Sequence, residues 1–180
     1  MKNTLSNHRA GRAPLAVAPA PAIVPVIPLA IVLALGLTSP AQALETACAK
    51  GITQANMKLL DAPAFHQSKR FANTSLEIIK VDGKLFQRMG NEPWAASPLS
   101  LQDLRQGALT HQRLMQSCER DGADAVDGVA AEVYRLTVKG PGGAAVALKV
   151  WIGAADGLPY REEGADLKSS TSYRHVKAPL

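Results

Sequence analysis

The chain has few aromatic side chains (4% of residues), no block of basic residues and only two cysteines. Each shortage excludes a class of function. Nucleic acid is held by dense basic patches or by basic residues interleaved with stacking aromatics, and neither pattern occurs here. The spacing of Cys48 and Cys118 fits no metal finger, and neither lies in a Cys-x-x-Cys pair. Among His66, His111 and His175, none stands four residues from another, which excludes metal pairing on one helix face. His111 reads as a core or edge residue, and the other two as exposed.

Catalytic signatures are missing as well. No Gly-x-Ser-x-Gly elbow, Walker loop or dinucleotide fingerprint is present. Glu162 and Glu163 are adjacent, so on a strand they point to opposite faces and cannot act as a paired acid and base. Asp121, Asp124 and Asp127 lack the alternating ligands and closing glutamate of a calcium loop, and read as a solvated bend. The sequence therefore reads as a non-enzyme with no catalytic residue, metal site or cofactor.

One further absence is positional. From Ala13 to Leu44 there is no charged side chain, and Lys2, Arg9 and Arg12 precede this stretch. A basic start, an apolar run over residues 22–37 and small residues at Ala41 and Ala43 describe an export signal over residues 1–43, cleaved near Ala43. A permanent anchor needs about 20 apolar residues, and Pro25 and Pro28 interrupt this run. Lipid attachment at Cys48 requires small neutral neighbours, and Glu45 is neither. The chain is thus expected to act in the periplasm or outside the cell.

Residues 44–180 then form a single domain, long enough to bury a core. They hold 17 basic and 15 acidic side chains, because three of the 20 basic residues lie in the signal. So small a net charge gives no reason to propose an anionic polymer as partner. An even cysteine count in an exported chain predicts a disulfide between Cys48 and Cys118. Closing a loop of about 70 residues contributes about 4 kcal/mol in the chain-entropy description.

Apolar spacing predicts a helix over residues 44–60, with Ala47, Cys48, Gly51, Ile52, Ala55 and Leu59 on one face and Pro63 beyond its end. Lys69-Arg70 reads as a solvated turn. Alternation over residues 75–89 around Asp82-Gly83 predicts a hairpin. Ser100 and Asp103 open a second helix over residues 100–118, whose face carries Leu101, Leu104, Ala108, His111, Met115 and Cys118. The disulfide would then join the two helices. Strands and turns follow from residue 119, for six or seven strands in total and an α+β class.

Several local patterns occur together: Leu76-Glu77-Ile78-Ile79 before Asp82-Gly83-Lys84, Trp94 after a glycine turn, and Val126-Asp127-Gly128-Val129. Val150-Trp151-Ile152-Gly153, Asp156-Gly157-Leu158-Pro159 and the closing stretch from Tyr173 to Pro179 complete the set. The chain resembles a group of exported bacterial proteins with no assigned activity. More distantly it is similar to the periplasmic lipoprotein-carrier superfamily, the LolA and LppX-like fold. That resemblance implies a strongly curved antiparallel sheet, a half-barrel, covered on its concave face by two helices. It implies binding of an apolar ligand, a lipid or the acyl chains of a lipoprotein, without catalysis. No functional residue transfers position by position.

Candidates for the concave face are Leu76, Ile78, Phe86, Trp94, Tyr134, Leu136, Leu148 and Val150, with Trp94 near the mouth. The same residues also fit a dry core, which is what regular apolar spacing ordinarily builds. A ligand role calls for a cavity of roughly 300 Å³ or more. The alternative function is an interaction or sensor domain that docks on another envelope protein through a strand edge or loop.

Overall fold

In the computed structural model, the described residues are 40–179. The export segment lies outside them, except for its last few residues. The first helix, α1 (Pro40–Asp61), is followed by strands β1 (Phe65–Phe71), β2 (Ser75–Val81), β3 (Lys84–Met89) and the short β4 (Ala95–Ala96). Helix α2 (Leu101–Leu114) leads into β5 (Met115–Val126), β6 (Val129–Lys139), β7 (Ala145–Gly153), β8 (Pro159–Gly164) and β9 (Leu167–Ser172). All nine strands form one sheet, in the order β4-β3-β2-β1-β9-β8-β7-β6-β5, and every pairing is antiparallel. The class is α+β.

The sheet consists of two meanders joined in the middle by β1 and β9. Its turns follow local chemistry. Asp82-Gly83 and Asp127-Gly128 all adopt positive φ, as the two-residue hairpin turn with right-handed strand twist requires. The edge strands β4 and β5 are neighbours in sequence, so residues 97–114 must pass from one edge of the sheet to the other. This link is a 14-residue helix with four flanking residues. The sheet is curled, and α2 closes over its concave side, where Leu104, Ala108 and His111 face the same space as Phe65, Val150 and Ser169 of the strands.

Helix α1 lies against the same face. Its stripe of Ile52, Ala55, Leu59 and Leu60 is buried, and three links hold it. Cys48 forms a disulfide with Cys118 of β5, the Cα atoms 5.7 Å apart. Lys58 donates to the Asp156 carbonyl in the β7–β8 turn at 2.9 Å. Buried Lys80 of β2 donates to the carbonyls of Leu60 and Ala62 at 2.6 and 2.7 Å, satisfying the helix end.

The structure corrects several expectations. The second helix stops at Leu114, because Met115 is already extended and the chain joins β6 through Met115↔Val138 and Cys118↔Leu136. The stripe ending in Met115 and Cys118 fits a helix and a strand alike. The disulfide consequently joins helix to strand, not helix to helix. Lys69 and Arg70 lie inside a central strand; both sides of β1 are paired, and its backbone hydrogen bonds outweigh its polar composition. Asp121 and Asp124 belong to β5, where they accept from Arg135, Lys149 and Trp151 on the outer face. Among the described residues the strands number nine, not about six or seven.

Loss of the disulfide in Cys48→Ser is expected to lower unfolding free energy by about 2–5 kcal/mol in a urea titration. Lys80→Met keeps the buried stem but removes both donors. It is expected to cost about 1–3 kcal/mol by leaving the carbonyls of Leu60 and Ala62 without their partner.

Candidate functional site

Strand alternation and register assign each candidate to a face. Directly paired residues share a face, so Phe65, Gln67 and Lys69 of β1 stand with Lys80, Ile78 and Leu76 of β2, and with Thr171 and Ser169 of β9. On the other half, Val150 stands with Tyr134 and Glu162, and Leu148 with Leu136. This is the concave face, since Lys80 and Cys118 bond to α1 from it.

The concave face divides into two regions. Over β5–β7 it is a packed core of Ile52, Ala55, Cys118, Leu136, Val138, Leu148, Val150 and Ile152, with Tyr134 at its border. Over β1, β8 and β9 the inward positions carry Gln67, Ser169 and Thr171, which are too short or too polar to meet the helices. There a cavity of about 280 Å³ remains, slightly below the roughly 300 Å³ set above for a ligand role. Its apolar wall includes Ile52, Leu59, Leu60, Phe65, Ile78 and Val150, and α2 contributes Leu104, Gly107, Ala108 and His111. Lys69 and Glu162 complete its polar side. No residue of α2 is fully buried, so this helix covers the cavity without filling it. An Arg105–Asp61 ion pair ties it to the end of α1.

Of the eight candidates, Ile78 and Val150 line the cavity. Leu76, Tyr134, Leu136 and Leu148 share the concave face, but Leu136 and Leu148 belong to the packed half. Phe86 and Trp94 are corrected to the outer face. Phe86 pairs directly with Ile79, one residue out of step with Ile78. Trp94 lies under the Arg88 guanidinium at 4.9 Å and meets His66 edge-on. Both of these partners bond Glu77, at 2.7 and 2.9 Å. Burial works against ionisation of Glu77, but the hydrogen bonds from Arg88 and His66 prevail and hold its carboxyl below the usual range. His66 is thus hydrogen-bonded to Glu77 rather than simply exposed.

Trp151 also faces outward, opposite Val150. Its indole donates to Asp124 at 3.0 Å, the Arg161 guanidinium stacks on its ring, and Val126, Ala131 and Val133 bury it. Glu163 pairs with Arg161 on the same outer face, whereas Glu162 lines the cavity; the two carboxylates are divided as strand alternation requires.

The cavity residues missed in the sequence were those of β1 and β9. Their only signal was a weak alternation, Phe65-Gln67-Lys69 and Leu167-Ser169-Thr171, in which polar residues occupy the inward positions. Among the described residues, no cluster of three or more His, Cys, Asp and Glu side chains could hold a metal ion. No described helix is long and apolar enough to cross a membrane.

Burial pushes His111 below the ordinary histidine range; nearby Glu162 pulls it back up, and Lys69 adds to the lowering. Its charged form is therefore disfavoured in the folded state. The unfolded chain takes up this proton first, so stability is retained above about pH 6.5 and declines as the pH falls below it. His111→Gln is expected to reduce the loss of urea stability between pH 7.5 and pH 5.5, a window above most carboxylate titration.

No family model matches the sequence, and no curated protein matches it. Among solved structures, the fold is similar to lipoprotein LppX of Mycobacterium tuberculosis, at 13% identity and a TM-score of 0.47 over 73% of this chain and 97% of that one. It is also similar to LprF of Mycobacterium bovis, at 14% identity and 0.47 over 76% and 96%. A LolA superfamily protein of Nitrosomonas europaea matches at 9% identity and 0.30 over 75% and 92%.

Proposed function

We propose that this chain is an exported binding or carrier protein that holds the apolar part of a ligand between α1, α2 and the concave sheet face. The observation that carries this reading is the open cavity of about 280 Å³ beside a well-packed core. A domain that packs Leu136 and Leu148 tightly leaves this space where Gln67, Ser169 and Thr171 occupy inward positions of β1 and β9. The charge-free segment behind Lys2, Arg9 and Arg12, together with the Cys48–Cys118 bridge, supports a site of action outside the cytoplasm. A lipid or a lipoprotein acyl chain is the ligand class that suits such walls, and the cavity's size suits one chain rather than several.

A second reading has its own support. Phe71, Met89, Leu99, Leu109 and Leu114 are large apolar side chains left exposed. They suit a surface that docks on another envelope protein.

Native mass spectrometry of protein purified from the envelope, with extraction of bound lipid, separates the two. The wild type is expected to carry or take up a single-chain lipid. Ala108→Trp, which puts an indole into the cavity from the α2 side, is expected to weaken uptake by at least about tenfold while the fold persists. A wild type that arrives empty and takes up no lipid favours docking.

A further inference from the structure

The polar side of the cavity is arranged by register. Glu162 of β8 pairs with Ser169 of β9, which pairs on its other side with Lys69 of β1. The three side chains therefore form a row across three adjacent strands of the concave face, and all three line the cavity. With strands about 4.8 Å apart, the Glu162 and Lys69 Cα atoms stand about 10 Å from each other. Neither makes an ion pair or hydrogen bond with another described residue. Several other charged residues of the sheet are paired, including Glu77, Asp121, Lys149, Arg161 and Glu163. The Ser169 hydroxyl bonds to no described residue, while neighbouring Thr171 accepts from Gln67. A carboxylate, a hydroxyl and an ammonium thus face one partly enclosed space, lined elsewhere by apolar residues and by Asn56, Gln67, His111 and Thr171.

We propose that the cavity binds a single-chain amphipath whose polar end carries both signs of charge. Its anionic group meets Lys69 and Ser169, its cationic group meets Glu162, and its tail lies along Leu59, Phe65 and Ile78. This rests on the carrier reading and narrows it. An anionic head alone would face Glu162 unpaired, a cationic head alone would face Lys69 unpaired, and a neutral head would satisfy neither.

The test uses the purified exported chain and four probes of equal chain length at pH 7.5: 2-aminododecanoic acid, dodecanoic acid, dodecylamine and dodecanol. Affinities are read by calorimetry below the micellar range. The amino acid is expected to bind at least about tenfold more tightly than each of the others. Lys69→Met should erase most of its advantage over dodecylamine, and Glu162→Gln most of its advantage over dodecanoic acid. Circular dichroism of both variants checks that each is folded. Equal binding of all four probes, or a ranking that both folded variants leave unchanged, overturns the head-group assignment but keeps the carrier reading. Binding of no probe overturns both.

Discussion

The connection between the two sheet edges constrains everything else in this fold. Residues 97–114 carry the chain from edge strand β4 to edge strand β5, so their 14-residue helix must cross one face of the nine-stranded sheet, the face that curls around it. Curling creates a concave face, and the same connection places α2 over it. The capping box at Ser100 and Asp103 secures the start of that helix; each side chain satisfies an amide of the other residue.

Helix α1 turns this concavity into a divided interior. The disulfide, Lys58 and Lys80 hold it at separated points on β5, the β7–β8 turn and β2. Between these points its apolar stripe meets different partners. Over β5–β7 it finds Leu136, Leu148 and Val150 and packs to exclusion of water. Over β1 and β9 it finds Gln67, Ser169 and Thr171, and a cavity remains. Side-chain size at alternate strand positions thus separates core from site.

The outer face shows that charge there serves the sheet. Glu77 gathers His66 and Arg88 around Trp94, and Asp121 and Asp124 gather Arg135, Lys149 and Trp151. These groups are paired and offer little to a ligand. Lys69 and Glu162 on the concave face differ because the row between them holds only Ser169.

The sequence by itself determined what depends on neighbours along the chain. The stripe of α1, the capped start of α2, the Asp82-Gly83 turn and the opposite faces of Val150 and Trp151 were all legible, because each follows from residue period or turn chemistry. Tertiary structure decided the rest. The residues from Met115 to Cys118 fit either period, and only pairing with β6 makes them strand. The polar strand β1 looked like a turn until β2 and β9 paired with it from both sides. Phe86 and Trp94 fell on the outer face because register with β2 assigns the face, and a shift of one residue reverses it. The cavity itself arises where Gln67 of β1 and Ser169 and Thr171 of β9, far apart in sequence, meet on the inward face, a coincidence that exists only once the sheet has assembled.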